Sequence, residues 1–206
     1  MKKVLIWGVS ILGIGIFLYV AYVVWVVSAF VGVFDSHHSK VDLIENYKSK
    51  TKEIYQLKKY AEQIIPNDKS VTIEFENDEE LAIFHLSDEK GRSSNWNIKI
   101  SAKKTDSLLT ELGWTKQTLT QLKEKMDNAN CISVESGEPF TIGYQRSGMG
   151  MYFYNLFDKP LTDSLKKAYN DGCMHILYNE KVALEFGGGA IGQQCFEGYF
   201  DKKIKR

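Results

Sequence analysis

The C-terminal stretch GGGAIGQQC, residues 187–195, combines two features that carry chemistry, closely spaced glycines and a cysteine. Gly187, Gly189 and Gly192 have the G-x-G-x-x-G spacing with which many proteins hold the phosphates of a dinucleotide. Such a site also needs a long helix after the glycines and a second strand with an acid about 20 residues further on. Only 14 residues follow Gly192. The required unit has no room, and nucleotide binding is excluded.

A glycine-rich turn is the interpretation that remains for this stretch, because glycine accepts positive φ and lets backbones approach closely. The amides of such a turn could still bind an anion or a peptide carboxylate. The candidate binding residues are Gly188, Gly189, Gln193 and Gln194.

Cys195 is a candidate nucleophile. A cysteine nucleophile needs a histidine nearby as its base, and His175, in the strand-like run CMHILY, is the candidate. Histidines on strands commonly face solvent, and nothing in the sequence fixes the distance from His175 to Cys195. A thiol hydrolase is therefore the alternative hypothesis, and a non-catalytic protein is favoured.

The three cysteines, Cys131, Cys173 and Cys195, leave two interpretations open. Outside the cytoplasm, one disulfide and one remaining thiol are expected. Inside it, all three would be thiols. For Cys131 and Cys173 we favour the role of small apolar core residues.

Composition and motifs exclude several function classes. The chain has 26 basic and 26 acidic residues among 206, which argues against nucleic-acid binding. The sequence contains no C-x-x-C and no H-x-x-x-H motif, so we expect no metal site. No cofactor is expected either.

The hairpin YQRSGMGMYFY, residues 144–154, is a second candidate binding surface. Arg146, Met149 and the aromatic residues around the glycine turn are of the types enriched at protein interfaces. The same alternation also fits core packing of every second residue, and the two interpretations carry equal weight.

The N-terminal region contains the strongest signal. Val4–Phe34 is a run of 31 residues without a charged side chain, and about 20 apolar residues already span a bilayer. After a flank of residues 1–3, we predict a transmembrane helix over residues 4–34. The alternative is a cleaved signal peptide, but the run is longer than the apolar region of about 7–15 residues that such peptides carry.

The orientation of this segment rests on its flanks. Lys2 and Lys3 favour a cytoplasmic N-terminus, whereas Lys40 and Lys48 oppose it. Asp35 is the charge nearest to the membrane on the C-terminal side. We therefore expect the C-terminal domain to be extracytoplasmic.

Residues 35–206 are predicted to form a single α+β domain. Apolar spacing predicts helices over residues 41–65 and 115–128, and alternating patterns such as VTIEFE and LAIFHL predict strands. Residues 119–131 and 161–173 match at five positions. The order of elements suggests three helix–hairpin units, over residues 41–101, 115–157 and 160–200. We expect antiparallel sheet with helices packed on one face.

These observations predict a single-pass membrane protein that contacts the bilayer through residues 4–34. Its α+β domain is expected to be a non-catalytic binding module. The expected partner is a protein or a cell-envelope component, and not nucleic acid.

Overall fold

The computed structural model describes residues 14–27, 38–147, 150–187 and 194–197. The chain divides into two compact units, Met1–His37 and His38–Arg206. In the first unit, residues 14–27 form a helix, α1, with exposed side chains. Among the described helices, none combines the length and the apolarity that crossing a bilayer requires. More than half of the predicted membrane span, residues 4–34, lies outside the described residues.

The second unit is α+β, as predicted. Its described residues form α2 (Lys40–Ile64), β1 (Ser70–Phe75), β2 (Glu80–Asp88), β3 (Gly91–Lys99), α3 (Lys103–Leu112), α4 (Lys116–Ala129), β4 (Ser133–Glu135), β5 (Phe140–Ser147), β6 (Gly150–Leu156), α5 (Asp163–Ala168), β7 (His175–Asn179) and β8 (Val182–Gly187).

All eight strands belong to one sheet in the order β3-β2-β1-β4-β5-β6-β8-β7. Every neighbouring pair is antiparallel. The prediction of an antiparallel sheet is therefore confirmed. The chain order is broken at two places, because β1 pairs with β4 and β8 lies between β6 and β7.

Helix α2 begins at a capping box. Ser39 is the N-cap, and its hydroxyl accepts a hydrogen bond from the Asp42 amide while the Asp42 carboxylate accepts one from the Ser39 amide. At Lys50 the backbone leaves helical geometry, with φ −117° and ψ 16°. Lys50 is also where the apolar spacing of the sequence is interrupted, so the pattern and the kink coincide.

The core lies between the sheet and helices α2, α3 and α4. One row of directly opposed residues crosses six neighbouring strands, and each member is 0% exposed: Phe84, Ile73, Val134, Ile142, Tyr154 and Leu184. The helices cover this row with apolar side chains such as Leu57, Leu108 and Leu122. The burial of this apolar surface is the main stabilising contribution to the domain.

The segment around α5 departs from the prediction that helices cover one face. Leu161 and Tyr169, which flank α5, pack with Phe157 and Ala183 in a separate small cluster. Ala183 stands opposite Asn155 and adjoins the buried Leu184 along β8, so side-chain alternation places it on the face opposite the main core. Helices α2–α4 thus cover one face, and the α5 segment covers the β8–β7 end of the other.

Tyr154 connects the sheet to two helices through a buried hydrogen-bond node. Its hydroxyl donates to the Leu43 carbonyl at 2.9 Å and accepts from Asn46 Nδ2 at 3.0 Å. Asn46 Nδ2 also reaches the Ala129 carbonyl at the end of α4, at 3.2 Å. Burial raises the pKa of Tyr154 well above its usual value. The node fixes α2 and α4 on the sheet.

Replacing Tyr154 with Phe should lower the free energy of unfolding by about 1–3 kcal/mol, because the Leu43 carbonyl and one Asn46 proton lose a buried partner. Urea unfolding of the full chain in detergent, followed by tryptophan fluorescence, measures this change. Tyr178→Phe is the matched control, since the Tyr178 hydroxyl forms no hydrogen bond with any described residue and is only partly buried. Equal unfolding midpoints for Tyr154→Phe and the unmodified chain would show that the node contributes nothing.

Candidate functional site

The sheet face opposite α2–α4, here called the polar face, carries a second row of directly opposed residues. The register places six polar residues in line on six neighbouring strands: Ser94, His85, Thr72, Glu135, Thr141 and Asn155. A parallel row runs through Glu74, Ser133, Gly143, Phe153, Glu185 and His175, so it is polar at both ends and interrupted by Gly143 and Phe153. Because side chains alternate along a strand, the apolar core rows put these polar rows together on one side.

Part of the polar face is joined by hydrogen bonds. Thr141 Oγ1 donates to Asn155 Oδ1 at 2.9 Å, and Asn155 Nδ2 donates to Glu185 Oε2 at 2.7 Å. Asn155 is 2% exposed. The three side chains come from β5, β6 and β8, so the chain of bonds crosses three neighbouring strands and holds the side chains in fixed positions.

His175 lies between two carboxylates. Its Nε2 is 3.5 Å from Glu185 Oε2, and its Nδ1 is 3.2 Å from Asp171 Oδ2. The hydrogen bond to Glu185 raises the pKa of His175; burial opposes this shift, and Asp171 adds to it. Both ring nitrogens donate only in the protonated imidazole, so this arrangement favours the cation. The Tyr169 ring packs edge-on against the imidazole, with ring centroids 5.1 Å apart.

The contact with His175 also changes the pKa of Glu185. Burial alone would raise the pKa of its carboxyl group, but hydrogen bonds from His175 and Asn155 outweigh burial and lower it. Glu185 is therefore a compensated anion within the face.

Arg146, one of the predicted binding residues, pairs with a buried carboxylate. Its Nε and Nη2 lie 2.7 and 2.6 Å from Glu74 Oε1. The Glu74 side chain is only 5% exposed, whereas that of Arg146 is 45% exposed. Burial raises the pKa of Glu74, and the guanidinium opposes the shift. Arg146 thus compensates a buried charge and still presents part of its side chain to solvent.

Glu135 lies near the centre of the polar face and is exposed. The neighbouring strands displace some of the water around its carboxyl group, which raises its pKa; Arg92 opposes the shift and Glu185 adds to it. Among the described residues, no side chain donates a hydrogen bond to this carboxyl group. Glu135 is consequently available to a ligand.

His85 and Arg92 form the end of the face near β3. Arg92 Nη2 lies 2.7 Å from His85 Nδ1. Since a guanidinium only donates, Nδ1 accepts and the imidazole is neutral with its proton on Nε2. Burial and the Arg92 charge lower the pKa of His85. His85 Nε2 is buried, and the described residues offer it no hydrogen-bond partner.

The candidate nucleophile Cys195 forms a disulfide with Cys173. A disulfide sulfur carries no thiolate, so Cys195 cannot attack a substrate in this state. His175 faces Glu185 and Asp171 instead. The two catalytic candidates, Cys195 and His175, therefore do not form a Cys–His pair. The expectation that Cys173 is a core thiol is replaced by this disulfide.

The remaining thiol, Cys131, is buried, and burial raises its pKa far above the usual value. This agrees with the core role expected for it. A thiol in this environment is chemically inert.

The disulfide holds the C-terminal segment against the sheet. Phe196 is 2% exposed and packs against Tyr152 and Phe186, with ring centroids 5.9 and 6.1 Å apart. Of the glutamines predicted to bind a ligand, Gln194 is partly buried in this segment. Met149, Gly188, Gly189 and Gln193 lie outside the described residues.

The described residues contain no cluster of three or more His, Cys, Asp or Glu side chains arranged to hold a metal ion. The polar face offers hydrogen bonding and ion pairing, with donors from the exposed side chains of Arg92 and Arg146 and an acceptor from Glu135.

Sequence reasoning from single strands misses most of this face. It identifies Arg146 and His175, but not Glu135, Asn155 or the His85–Arg92 pair. The signal that could have found Glu74 is the alternation in VTIEFE, which puts Thr72 and Glu74 on the side opposite Val71 and Ile73.

No family model matches the sequence, and no significant match is found among curated proteins or solved structures.

The raised pKa of His175 predicts a specific pH dependence. A raised pKa means that the folded state holds the proton more tightly, so this stabilisation is complete below about pH 6.5 and disappears as the pH rises through the folded-state pKa. The free energy of unfolding should therefore fall above about pH 6.5. The pKa of His85 is lowered, so its effect on the free energy of unfolding falls below about pH 6.5.

Glu185→Gln should flatten that fall, because it removes the main cause of the raised pKa of His175. Urea unfolding of the full chain at a series of pH values, together with NMR titration of the His175 ring, measures both quantities. Glu135→Gln is the control on the same face and should preserve the slope. An unchanged His175 titration in Glu185→Gln would contradict the assignment.

Proposed function

We propose that this chain is a single-pass membrane protein whose α+β domain lies outside the cytoplasm and binds a protein partner through the polar face, without catalysis. The observation that carries the binding proposal is the polar face itself: one cross-strand row of six hydrogen-bonding or charged side chains and a second row that is polar at both of its ends, opposite a fully buried core row.

The proposed membrane segment rests on residues 4–34. The run Val4–Phe34 has 31 residues without charge, more than the roughly 20 needed to span the hydrocarbon core. The described part, residues 14–27, is helical with exposed apolar side chains such as Phe17 and Tyr19. Exposed apolar side chains of this density favour a lipid environment.

The disulfide supports the extracytoplasmic location. Disulfides form and persist in oxidising compartments and are rare in the cytosol. The pairing of Cys173 with Cys195 leaves Cys131 as a single thiol, which is the arrangement expected outside the cytoplasm. The acidic Asp35 next to the membrane segment favours the same side.

The width of the polar face supports a protein partner. The part of the face that the α5 segment leaves uncovered extends from Ser94 on β3 to Thr141 on β5 and crosses four strand spacings, or about 19 Å at 4.8 Å each. Protein interfaces are broad, open surfaces that bury about 800 Å² on each partner. Small-molecule sites are instead enclosed and mostly apolar.

The proposed extracytoplasmic location predicts how many cysteines of the membrane-bound chain are free thiols. Membranes are washed with alkaline carbonate, denatured in detergent and labelled with a maleimide. One thiol per chain, Cys131, should react without reductant, and all three cysteines after reduction. Cys195→Ser is the control and should expose the Cys173 thiol as a second reactive group.

Two outcomes would contradict this part of the proposal. Release of the chain by the alkaline wash would exclude a membrane-spanning anchor. Three reactive thiols without reductant would place the domain in a reducing compartment.

The binding proposal is tested by photocrosslinking in living cells. A benzophenone amino acid at Glu135 samples the polar face, and the same amino acid at Glu124, exposed on α4, samples the opposite side. The Glu135 position should give a discrete protein adduct that the Glu124 position does not.

Thr141→Arg should abolish the adduct, because it places a bulky charge on the polar face. The matched change Thr120→Arg, at an exposed position of α4, should leave the adduct intact. Thermal melting of both variants verifies that they fold. Equal adducts from both crosslinker positions, or an adduct unaffected by Thr141→Arg, would refute the assignment of the polar face as the binding surface. An adduct that resists protease digestion would show that the partner is a non-protein component of the cell envelope.

A further inference from the structure

The two edges of the sheet, β3 and β7, differ in how their outward backbone groups are satisfied. On β7, the His175 amide donates to Asp171 Oδ1 at 2.9 Å and the Leu177 amide donates to Asn170 Oδ1 at 3.2 Å. The His175 carbonyl accepts from the Gly172 amide at 3.0 Å. Side chains and a turn thus close the β7 edge against further pairing.

The β3 edge lacks such protection. Strands β2 and β3 are joined by the two-residue turn Glu89–Lys90, which makes Asp88 and Gly91 a hydrogen-bonded pair. Alternate pairs follow, so the amides and carbonyls of Arg92 and Ser94 point away from β2. Among the described residues, none forms a hydrogen bond with these outward groups, and no residue of β3 is buried.

Regular geometry on this edge ends at Asn97, which has a positive φ of 52°. The segment available for pairing is therefore Arg92–Trp96. An unprotected edge of this kind is a template for a strand from another chain, and natural proteins normally block it.

We propose that Arg92–Trp96 pairs antiparallel with the same segment of a second copy of this chain, with Ser94 on the two-fold axis. The two sheets then continue into one another across the β3 edges. A two-fold contact uses the same patch on both subunits, so the segment has to be complementary to itself. This inference goes beyond the proposed function and does not depend on the identity of the bound partner.

The register follows from overlap. Antiparallel pairing uses the whole of Arg92–Trp96 in both copies only when Ser94 faces Ser94. In this register outward-pointing residues meet outward-pointing residues, as ladder hydrogen bonds require. A register shifted to bring Arg92 opposite Arg92 would place like charges together and is unfavourable.

The side chains support the same register. Arg92 of one copy stands opposite Trp96 of the other, twice, so the indole ring can lie against the aliphatic part of the Arg92 side chain. Trp96 is 59% exposed, a large apolar surface for an edge residue. Within one copy the His85 ring contacts both side chains: the Arg92 guanidinium lies 2.7 Å from its Nδ1, and the Trp96 ring packs edge-on with centroids 4.9 Å apart. Both side chains are thus held over the polar face, and little side-chain freedom is lost on pairing.

A cysteine at Ser94 tests the axis directly. In a hydrogen-bonded antiparallel pair the Cα atoms are about 5.5 Å apart, within the range that a disulfide bridges. Full-length Ser94→Cys in its membrane, treated with a mild oxidant, should run as a disulfide-linked dimer on a non-reducing gel. Ser93→Cys is the matched control, because its two copies would lie about 8 Å apart, beyond disulfide range.

The expected yield of dimer is at least tenfold higher for Ser94→Cys than for Ser93→Cys. Adding Trp96→Ala to Ser94→Cys should slow dimer formation several-fold, since it removes both arginine–indole contacts. Absence of a dimer from Ser94→Cys, or equal dimer from both cysteine variants, would overturn the proposal. A disulfide from Ser94→Cys to a different protein would also overturn it and would assign the edge to a foreign strand.

Discussion

Alternation of side chains along eight paired strands is the constraint on which the rest of the domain depends. The row that includes Ile73, Val134 and Tyr154 is fully buried against the helices. A slip of one residue between neighbouring strands would turn the whole set outward and bring Thr72, Glu135 and Asn155 into the core. The burial that stabilises the fold therefore also fixes the position of every group on the polar face.

Charge on the polar face is organised in two ways. Glu74 and Glu185 are buried or half-buried, and each has its own donor: Arg146 for Glu74, and Asn155 with His175 for Glu185. A buried carboxylate without such a partner would be strongly destabilising. Glu135 is different, because it is exposed and has no donor among the described residues. The compensated groups form a rigid frame, and the uncompensated one is available for recognition.

The sequence was sufficient for the elements but not for their neighbours in space. Alternation in VTIEFE and LAIFHL identified β1 and β2, and apolar spacing identified α2 but not its kink at Lys50. The polar network needed more, since β1 pairs with β4 and β8 pairs with β6. Such long-range pairings decide which polar side chains meet, and local patterns do not contain them.

The same lack of long-range information in the sequence explains the two predictions that were wrong for Cys173 and for the α5 segment. Whether Cys195 is a nucleophile or half of a disulfide depends on its distance to Cys173, 22 residues away in sequence, and no spacing rule gives that distance. The prediction that all helices cover one face was wrong for the α5 segment, because α5 has no buried residue of its own to mark an apolar stripe.

The Tyr154 node has a consequence for biosynthesis. Its hydroxyl bonds the Leu43 carbonyl across 111 residues of sequence. At a synthesis rate of about 5–20 residues per second, Leu43 leaves the ribosome roughly 6 to 22 seconds before Tyr154 does. Strands β1 to β5 are made in this interval and can begin to cover the apolar stripe of α2, but the Leu43 carbonyl and the Asn46 side chain still lack their partner on β6. The hydrogen bonds that fix α2 on the sheet therefore form only after most of the domain has been synthesised.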